Sequence, residues 1–264
     1  IRDSARAFAQ ERLAPTAADR DRGKDFPRDE MAELGALGFL GMLVPEALGG
    51  VGADHVSYVM AVEEVAAADG SIGAMMALHN GLVSSPLLRH GSEMQKRRYL
   101  RPLAEGKING AFGLTEPEAG SNAFAIATKA RRCDGGYRIS GTKQFMSNGK
   151  SADIAIVFAA VDSDDPRRRI TAFLVPPSSP GYAVLRVEDK LGLSASETCQ
   201  VGLDDVFVPE DHVLGAVGGG YALAMGTLEL GRLGIAAQSV GLARAAFDLA
   251  HAYALERRTF GKAL

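Results

Sequence analysis

The 264-residue chain has no tryptophan, two cysteines and five histidines, and each shortage excludes a class of function. Cys133 and Cys199 lie far apart in the sequence, so they build neither a disulfide framework nor a cysteine metal motif, and a reducing compartment is the natural setting. His55, His79, His90, His212 and His251 lack paired ligand spacing, so no metal site is assigned. No apolar run approaches the roughly 18 residues that a membrane span needs. A net charge of -3 argues against nucleic acid as a partner. The short basic runs Lys96-Arg97-Arg98 and Arg167-Arg168-Arg169 read as solvated faces. Nucleotide-binding signatures are missing too. Gly50-Val51-Gly52 has His55 where a G-x-G-x-x-G motif needs its third glycine, Gly218 with Gly220 has Leu223, and no Walker sequence occurs.

What is present divides into three parts, taken here as domains at 1-110, 111-217 and 218-264. Hydrophobic residues make up 47% of the chain, enough for a sizeable core. The first part carries helical spacing and caps: Met31, Leu34 and Leu37 follow Pro27, Asp54 and Ser71 stand where N-caps belong, and Ser92 with Gln95 forms a capping-box pattern. The Met75-Met76 pair reads as core filling. In the second part the period falls to two. Strands are expected over 127–132, 137–140, 154–161, 170–175, 182–187 and 198–203, with a hairpin turn at Asp134-Gly135-Gly136 and exposed connections at 163–169 and 176–181. Consecutive strands without helices between them imply an antiparallel barrel or sandwich. The third part returns to helix. About 38 residues at 1.5 Å each span close to 60 Å, far beyond an ordinary globular helix. Gly226, Gly231, Gly234 and Gly241 cost helix propensity there, so tight packing is expected, against partners beyond Leu264 or in another subunit. Both ends look cut, since the chain opens on Ile1 and closes within a helical pattern.

One stretch sits at the switch from helix to strand: residues 112–121, Phe-Gly-Leu-Thr-Glu-Pro-Glu-Ala-Gly-Ser. Thr115 and Ser121 bring hydroxyls, Pro117 stiffens the turn, and Gly120 lets backbone approach a ligand. These residues suit either a cofactor-binding loop or an ordinary interdomain turn. Ser147-Asn148-Gly149-Lys150 has the S-x-x-K spacing of acyl-transfer hydrolases, but Asn-Gly between strands reads as a turn instead. Two further clusters, Phe145-Met146-Ser147 and Arg257-Arg258-Thr259-Phe260-Gly261, again combine a hydroxyl with an aromatic, as a flat cofactor with a phosphate tail would require.

In this order the clusters resemble the acyl-CoA dehydrogenase family, and the likeness covers essentially the whole chain. It rests on the 112–121 loop, the Gly141-Thr142-Lys143 to Gly149 hairpin, Asp189-Lys190-Leu191-Gly192, Val208-Pro209 and the closing Glu256 to Gly261 run. The resemblance implies a helical N-terminal domain, a middle β-domain and the start of a C-terminal helical bundle, with FAD held between the last two. It implies that Leu114 and Thr115 present donors to the pyrimidine edge of the ring, where negative charge collects on reduction. Phe112 and Gly120 would also lie at the cofactor, Phe145 and Met146 would pack against the ring, and Ser147 would lie near the hydride-accepting nitrogen. Ser121 would reach both the FAD pyrophosphate and the pantetheine arm of a thioester. Arg257, Thr259 and Phe260 would serve an FAD held mainly by a neighbouring subunit, and Glu229 with Arg232 would line the thioester cavity.

The implied reaction is α,β-dehydrogenation of an acyl-CoA, with a carboxylate and the flavin flanking the substrate. No catalytic base is assigned. Most members carry a glutamate in the later bundle, and a minority place it at the position of Gly231, which has no side chain. The 228–243 run is most similar to short-chain members, which implies a short straight or branched acyl group. An acyl-CoA oxidase, a nitroalkane-oxidase-like relative and a non-catalytic acyl-CoA-binding homologue stand as alternatives. The resemblance also implies a homotetramer, an electron-transferring flavoprotein as electron acceptor, and a cytoplasmic location, or the mitochondrial matrix in a eukaryote. Asn122 replaces the usual aspartate after the loop serine, and Glu229 stands where many members have aspartate.

Overall fold

A computed structural model describes residues 1–165 and 168–264; Arg167 of the basic run, with Pro166 in the 163–169 connection, lies outside the described residues. The helical region folds around a core that includes Leu13, Met31, Leu34, Tyr58 and the Met75-Met76 pair. Local signals placed several of its helix ends. The Asp54 carboxylate accepts from the Ser57 amide at 2.7 Å, and Ser92 and Gln95 form a complete capping box. At the next helix the expectation fails: Asp69 is the cap, accepting from Ile72 N at 3.0 Å, while Ser71 is buried inside the first turn. A carboxylate two residues earlier satisfies an orphan amide of the first turn, so the helix starts at Gly70 and Ser71 falls inside it. From there the chain runs unbroken through Gly70–Leu78, a wide π turn at His79–Ser84, and Ser85–His90.

The middle region forms one eight-stranded sheet from β1 (Gly110–Gly113), β2 (Lys129–Cys133), β3 (Gly136–Ser147), β4 (Ile154–Ala160), β5 (Ile170–Val175), β6 (Tyr182–Val187), β7 (Thr198–Pro209) and β8 (Val213–Leu214). The order is β6-β7-β3-β2-β4-β5-β8, with β1 also on β4. Antiparallel pairing dominates, but the expectation of antiparallel pairing throughout is corrected: β1 runs parallel to β4, and β2 meets β4 in parallel at Lys129 and Ala160. The short β1, four buried residues with two glycines, escaped sequence reading. Because β1 covers Ile154 to Val157 and β2 resumes at Ala160, the 112–121 loop emerges from the gap they leave on that edge of β4.

The long helix spans Gly220–Glu256, 37 residues. It packs on the helices of its own N-terminal region, which corrects the expectation that its partners lie beyond Leu264 or in another subunit. A Cβ on Gly234 would stand 2.4 Å from the Tyr58 hydroxyl oxygen and 2.8 Å from the Ala77 methyl, and one on Gly241 would stand 2.3 Å from the Glu63 carbonyl oxygen. Three of the four expected glycines are thus close-contact sites, whereas Gly226 has open space around it. Of the larger apolar residues along the helix, Leu223 is buried, whereas Ile235, Leu242, Phe247 and Leu249 are exposed. Among the described residues, no helix is long and apolar enough to cross a membrane.

Candidate functional site

The 112–121 loop is held from behind. Glu116 and Ala119 exchange backbone hydrogen bonds at 3.0 and 3.1 Å and close its tip. The Glu116 side chain turns inward, accepting from the amides of Ala127 at 2.5 Å and Thr128 at 3.1 Å and from Lys143 Nζ at 2.6 Å. Lys143 is fully buried and also donates to the Leu114 carbonyl at 3.2 Å. Burial raises the Glu116 carboxyl, but the Lys143 ammonium and the Ala127 amide overcome this and hold it below the ordinary range. Burial pushes Lys143 down to about 8 despite Glu116, which leaves the pair ionised at neutral pH.

A bulge shapes the facing strand. Between β3 and β7, Lys143 pairs with Val201 and Met146 with Cys199, so Gln144 and Phe145 together oppose a single residue. Phe145 takes φ of 55°, and its ring is 62% exposed. A bulge re-aims a side chain that regular alternation would have placed elsewhere. After Ser147 the chain turns at Asn148, φ 59°, whose side-chain Nδ2 donates to the Gly110 carbonyl at 3.1 Å. The end of β3 is thereby tied to the strand that leads into the loop.

Loop, bulged strand and long helix enclose a cleft of ≈ 350 Å³. Phe112, Leu114, Thr115, Gly120 and Ser121 form one wall, Gln144, Phe145 and Ser147 another, and Met225, Leu228 and Arg232 a third. Leu78 and Leu82 of the helical region close the base. These two also line an adjoining, mainly apolar chamber of ≈ 390 Å³ with Ala74, Ala77, Gly231 and Ile235. Ser147, Leu228 and Arg232 border both spaces. No carboxylate, histidine or cysteine lines the chamber among the described residues.

Not every residue singled out from sequence lies here. Met146 points into the β core and is 1% exposed, because the residue after a bulge resumes the inward face. Glu229 is exposed on the long helix and lines neither space. Arg257, Thr259 and Phe260 lie past the far end of that helix; 25 residues from Arg232, they are about 38 Å away at 1.5 Å per residue. There Arg258–Thr259 and Lys262–Ala263 form a small hairpin, and Phe260 projects from its turn, 98% exposed. Sequence reading missed Ala74, Leu78, Leu82, Gln144 and Ser196 as lining residues, since their helical spacing or turn context signals only packing. It also missed the buried role of Lys143 and Glu116, although a lysine within a strand of apolar periodicity was a visible signal.

Known proteins share this arrangement. Residues 1–107 match the family model for the acyl-CoA dehydrogenase N-terminal domain, 111–206 the middle domain, and 218–264 the C-terminal domain. An acyl-CoA dehydrogenase of Bacillus subtilis is 40% identical over 262 residues, covering 99% of this chain and 69% of the relative. The mitochondrial short-chain specific acyl-CoA dehydrogenase of Mus musculus is 40% identical over 264 residues, covering 100% of this chain and 64% of its own length. The solved structure of butyryl-CoA dehydrogenase from Megasphaera elsdenii superposes with a TM-score of 0.95 at 40% identity, over 100% of this chain and 70% of that one. The chain thus spans about two thirds of the length of such relatives. It belongs to the acyl-CoA dehydrogenase family.

Proposed function

We propose that the protein binds FAD in the cleft and takes part in the α,β-dehydrogenation of an acyl-CoA thioester whose acyl chain occupies the adjoining chamber. The observation that carries this reading is the shared border: Ser147, Leu228 and Arg232 face both a polar-edged cleft and an apolar chamber, so a ring and an acyl chain can meet there.

The residues fit the cofactor. Phe145 offers an exposed aromatic surface, and among the described residues the hydroxyls of Thr115, Ser121 and Ser147 have no intramolecular hydrogen bond, which leaves them free for a ligand. A Cβ on Gly120 would meet nothing within 4 Å, so the loop has room for close approach. Bound flavin supplies an acceptor for the hydride that leaves the substrate β-carbon. This chain's residues bind and orient: Leu114 and Thr115 edge the ring, Phe145 packs beside it, and Ser147 donates at the junction. Phe112 supports the wall from within, edge-on to Phe158 at 5.1 Å. Leu78, Leu82, Leu228 and Ile235 exclude water from the acyl chain, and Arg232 sits where the thioester would enter, with Glu229 and Ser121 toward the pantetheine arm. Among the described residues the chamber lining contains no carboxylate, histidine or cysteine to take the α-proton, so no base is assigned within it.

Arg257, Thr259 and Phe260 are too far from the cleft to touch the same cofactor, which supports an oligomer in which each subunit's hairpin serves a neighbour's FAD; a homotetramer is the proposed form. Short-chain relatives support a short acyl group. An electron-transferring flavoprotein is the proposed electron acceptor. Anaerobic mixing of the yellow, FAD-loaded protein with butyryl-CoA tests the reading: rapid bleaching, with little oxygen consumption in air, is expected. Rapid peroxide formation would assign an oxidase instead, and failure to take up FAD would sink both.

A further inference from the structure

The buried Lys143 and Glu116 pair lines neither the cleft nor the chamber, yet it reaches the cleft through one peptide group. Lys143 Nζ lies 3.2 Å from the Leu114 carbonyl oxygen and 2.6 Å from Glu116 Oε1. The Leu114–Thr115 peptide is trans and planar, so its N–H points away from its carbonyl. With the carbonyl drawn inward to the ammonium, the Thr115 N–H is turned outward on a residue that lines the cleft. Among the described residues, nothing accepts a hydrogen bond from that N–H. The next peptide is fixed as well, since the Thr115 carbonyl accepts from Gln144 N at 2.8 Å and the Glu116 N–H donates to Ala119. Both sides of Thr115 are therefore held. A backbone donor that no group of the protein satisfies, held on a residue lining the cleft, is available to a ligand acceptor.

We propose that Lys143, kept in place by Glu116, is a positioning residue that fixes and polarises the Leu114–Thr115 peptide, making Thr115 N–H a strengthened donor to the electron-rich edge of the bound ring. This rests on the FAD reading above and deepens it. A cation on the carbonyl of a peptide strengthens the donor at its other end, because hydrogen bonds in series polarise one another in a low-dielectric interior. A donor held in place costs no reorganisation when negative charge gathers on the ring, so it favours the reduced over the oxidised cofactor.

The test compares the midpoint potential of bound FAD in the parent and in the Lys143→Met/Glu116→Gln double variant, which keeps side-chain shape and avoids an orphaned buried charge. The double variant is expected to keep FAD and lose about tenfold in preference for reduced flavin, a potential lower by about 30 mV for a two-electron couple. Val157→Ala, a core truncation in the strand residue paired with Gly113, serves as the packing control. It is expected to lower the melting temperature without moving the potential. An unchanged potential in a folded, FAD-loaded double variant overturns the proposal, as does an equal shift in Val157→Ala. If the double variant does not fold, Glu116→Gln alone decides: a smaller shift in the same direction supports the proposal and no shift overturns it. A parent that cannot take up FAD sinks the functional reading and the proposal together, whereas normal uptake with an indifferent potential sinks only the proposal.

Discussion

Arg244 of the long helix grips the buried Glu64 carboxylate with both terminal nitrogens, Nη1 to Oε1 at 2.9 Å and Nη2 to Oε2 at 2.8 Å. Arg6 adds two bonds at 3.0 and 2.8 Å and Arg2 one at 3.2 Å, while the Glu64 side chain is only 3% exposed. One carboxylate therefore ties the first helix, the His55–Ala68 helix and the long helix together. Removing one partner from a buried pair leaves the other uncompensated, which costs more than the intact pair contributes. Arg244→Met is expected to cost about 1–2 kcal/mol, since Arg6 and Arg2 remain, and Glu64→Gln about 2–4 kcal/mol. Urea unfolding of the two variants checks the order.

Acid should weaken the fold in two steps. His79 is fully buried, and neither ring nitrogen has a hydrogen-bond partner among the described residues. Burial pushes its pKa from 6.5 down to about 4, and the backbone at Leu40 and Ile108 opposes this only in part. The folded protein thus refuses a proton that the unfolded chain accepts. Stability is complete above pH 6.5 and falls by about 1.4 kcal/mol per pH unit until pH 4, a loss of about 3 kcal/mol. Burial also acts to raise Glu64, but Arg6 and Arg244 outweigh it and hold the carboxyl at about 2. Its contribution is present above 4.5 and fades as pH falls toward 2. His79→Phe should flatten the stability profile between pH 6.5 and 4 and leave the lower step in place. A profile with the same slope in that window would refute the assignment to His79.

Two glycines of one helix should respond to alanine with opposite signs. At Gly241 a methyl would stand 2.3 Å from the Glu63 carbonyl oxygen, a backbone atom that cannot yield without moving its helix. At Gly226 a methyl would meet nothing within 4 Å. Gly241→Ala is expected to destabilise by about 2 kcal/mol or more through this clash. Gly226→Ala should gain about 0.5–1 kcal/mol from helix propensity. Thermal melts of the two variants settle the pair.

These contrasts also show what the sequence could and could not reveal. Asp54 and the Ser92-Gln95 box were readable because a cap and its amides lie within four residues. Gly231, Gly234 and Gly241 were readable as close-contact sites, because a helix that keeps glycine against its propensity needs a reason. What they touch was not, since Tyr58, Ala77 and Glu63 are more than 150 residues away in sequence. The pairing of β1 with β4 hid for the same reason, and the bulge at Phe145 hid because alternation cannot show where two residues face one. That bulge decides which members of the Phe145-Met146-Ser147 cluster reach the cleft: Phe145 and Ser147 do, and Met146 turns to the core.

Arg232 stands at the seam of the site and gives its sharpest mutational test. Its guanidinium borders both cleft and chamber, and among the described residues no carboxylate pairs with it. Arginines elsewhere on this protein, such as Arg20 and Arg244, sit in ion pairs that hold the fold. An unpaired one between two cavities contributes no such bond, so its loss should fall on ligand binding rather than stability. A guanidinium remains charged at any working pH and meets oxygen acceptors through several fixed donors. Arg232→Met should therefore weaken acyl-CoA binding about tenfold, near 1.4 kcal/mol, with FAD content and melting temperature unchanged. Arg232→Lys should recover only part of the affinity, because a single ammonium keeps the charge but not the fork of donors. Titrating FAD-loaded variants with butyryl-CoA under anaerobic conditions measures both, and an Arg232→Met protein that binds like the parent would remove Arg232 from the site.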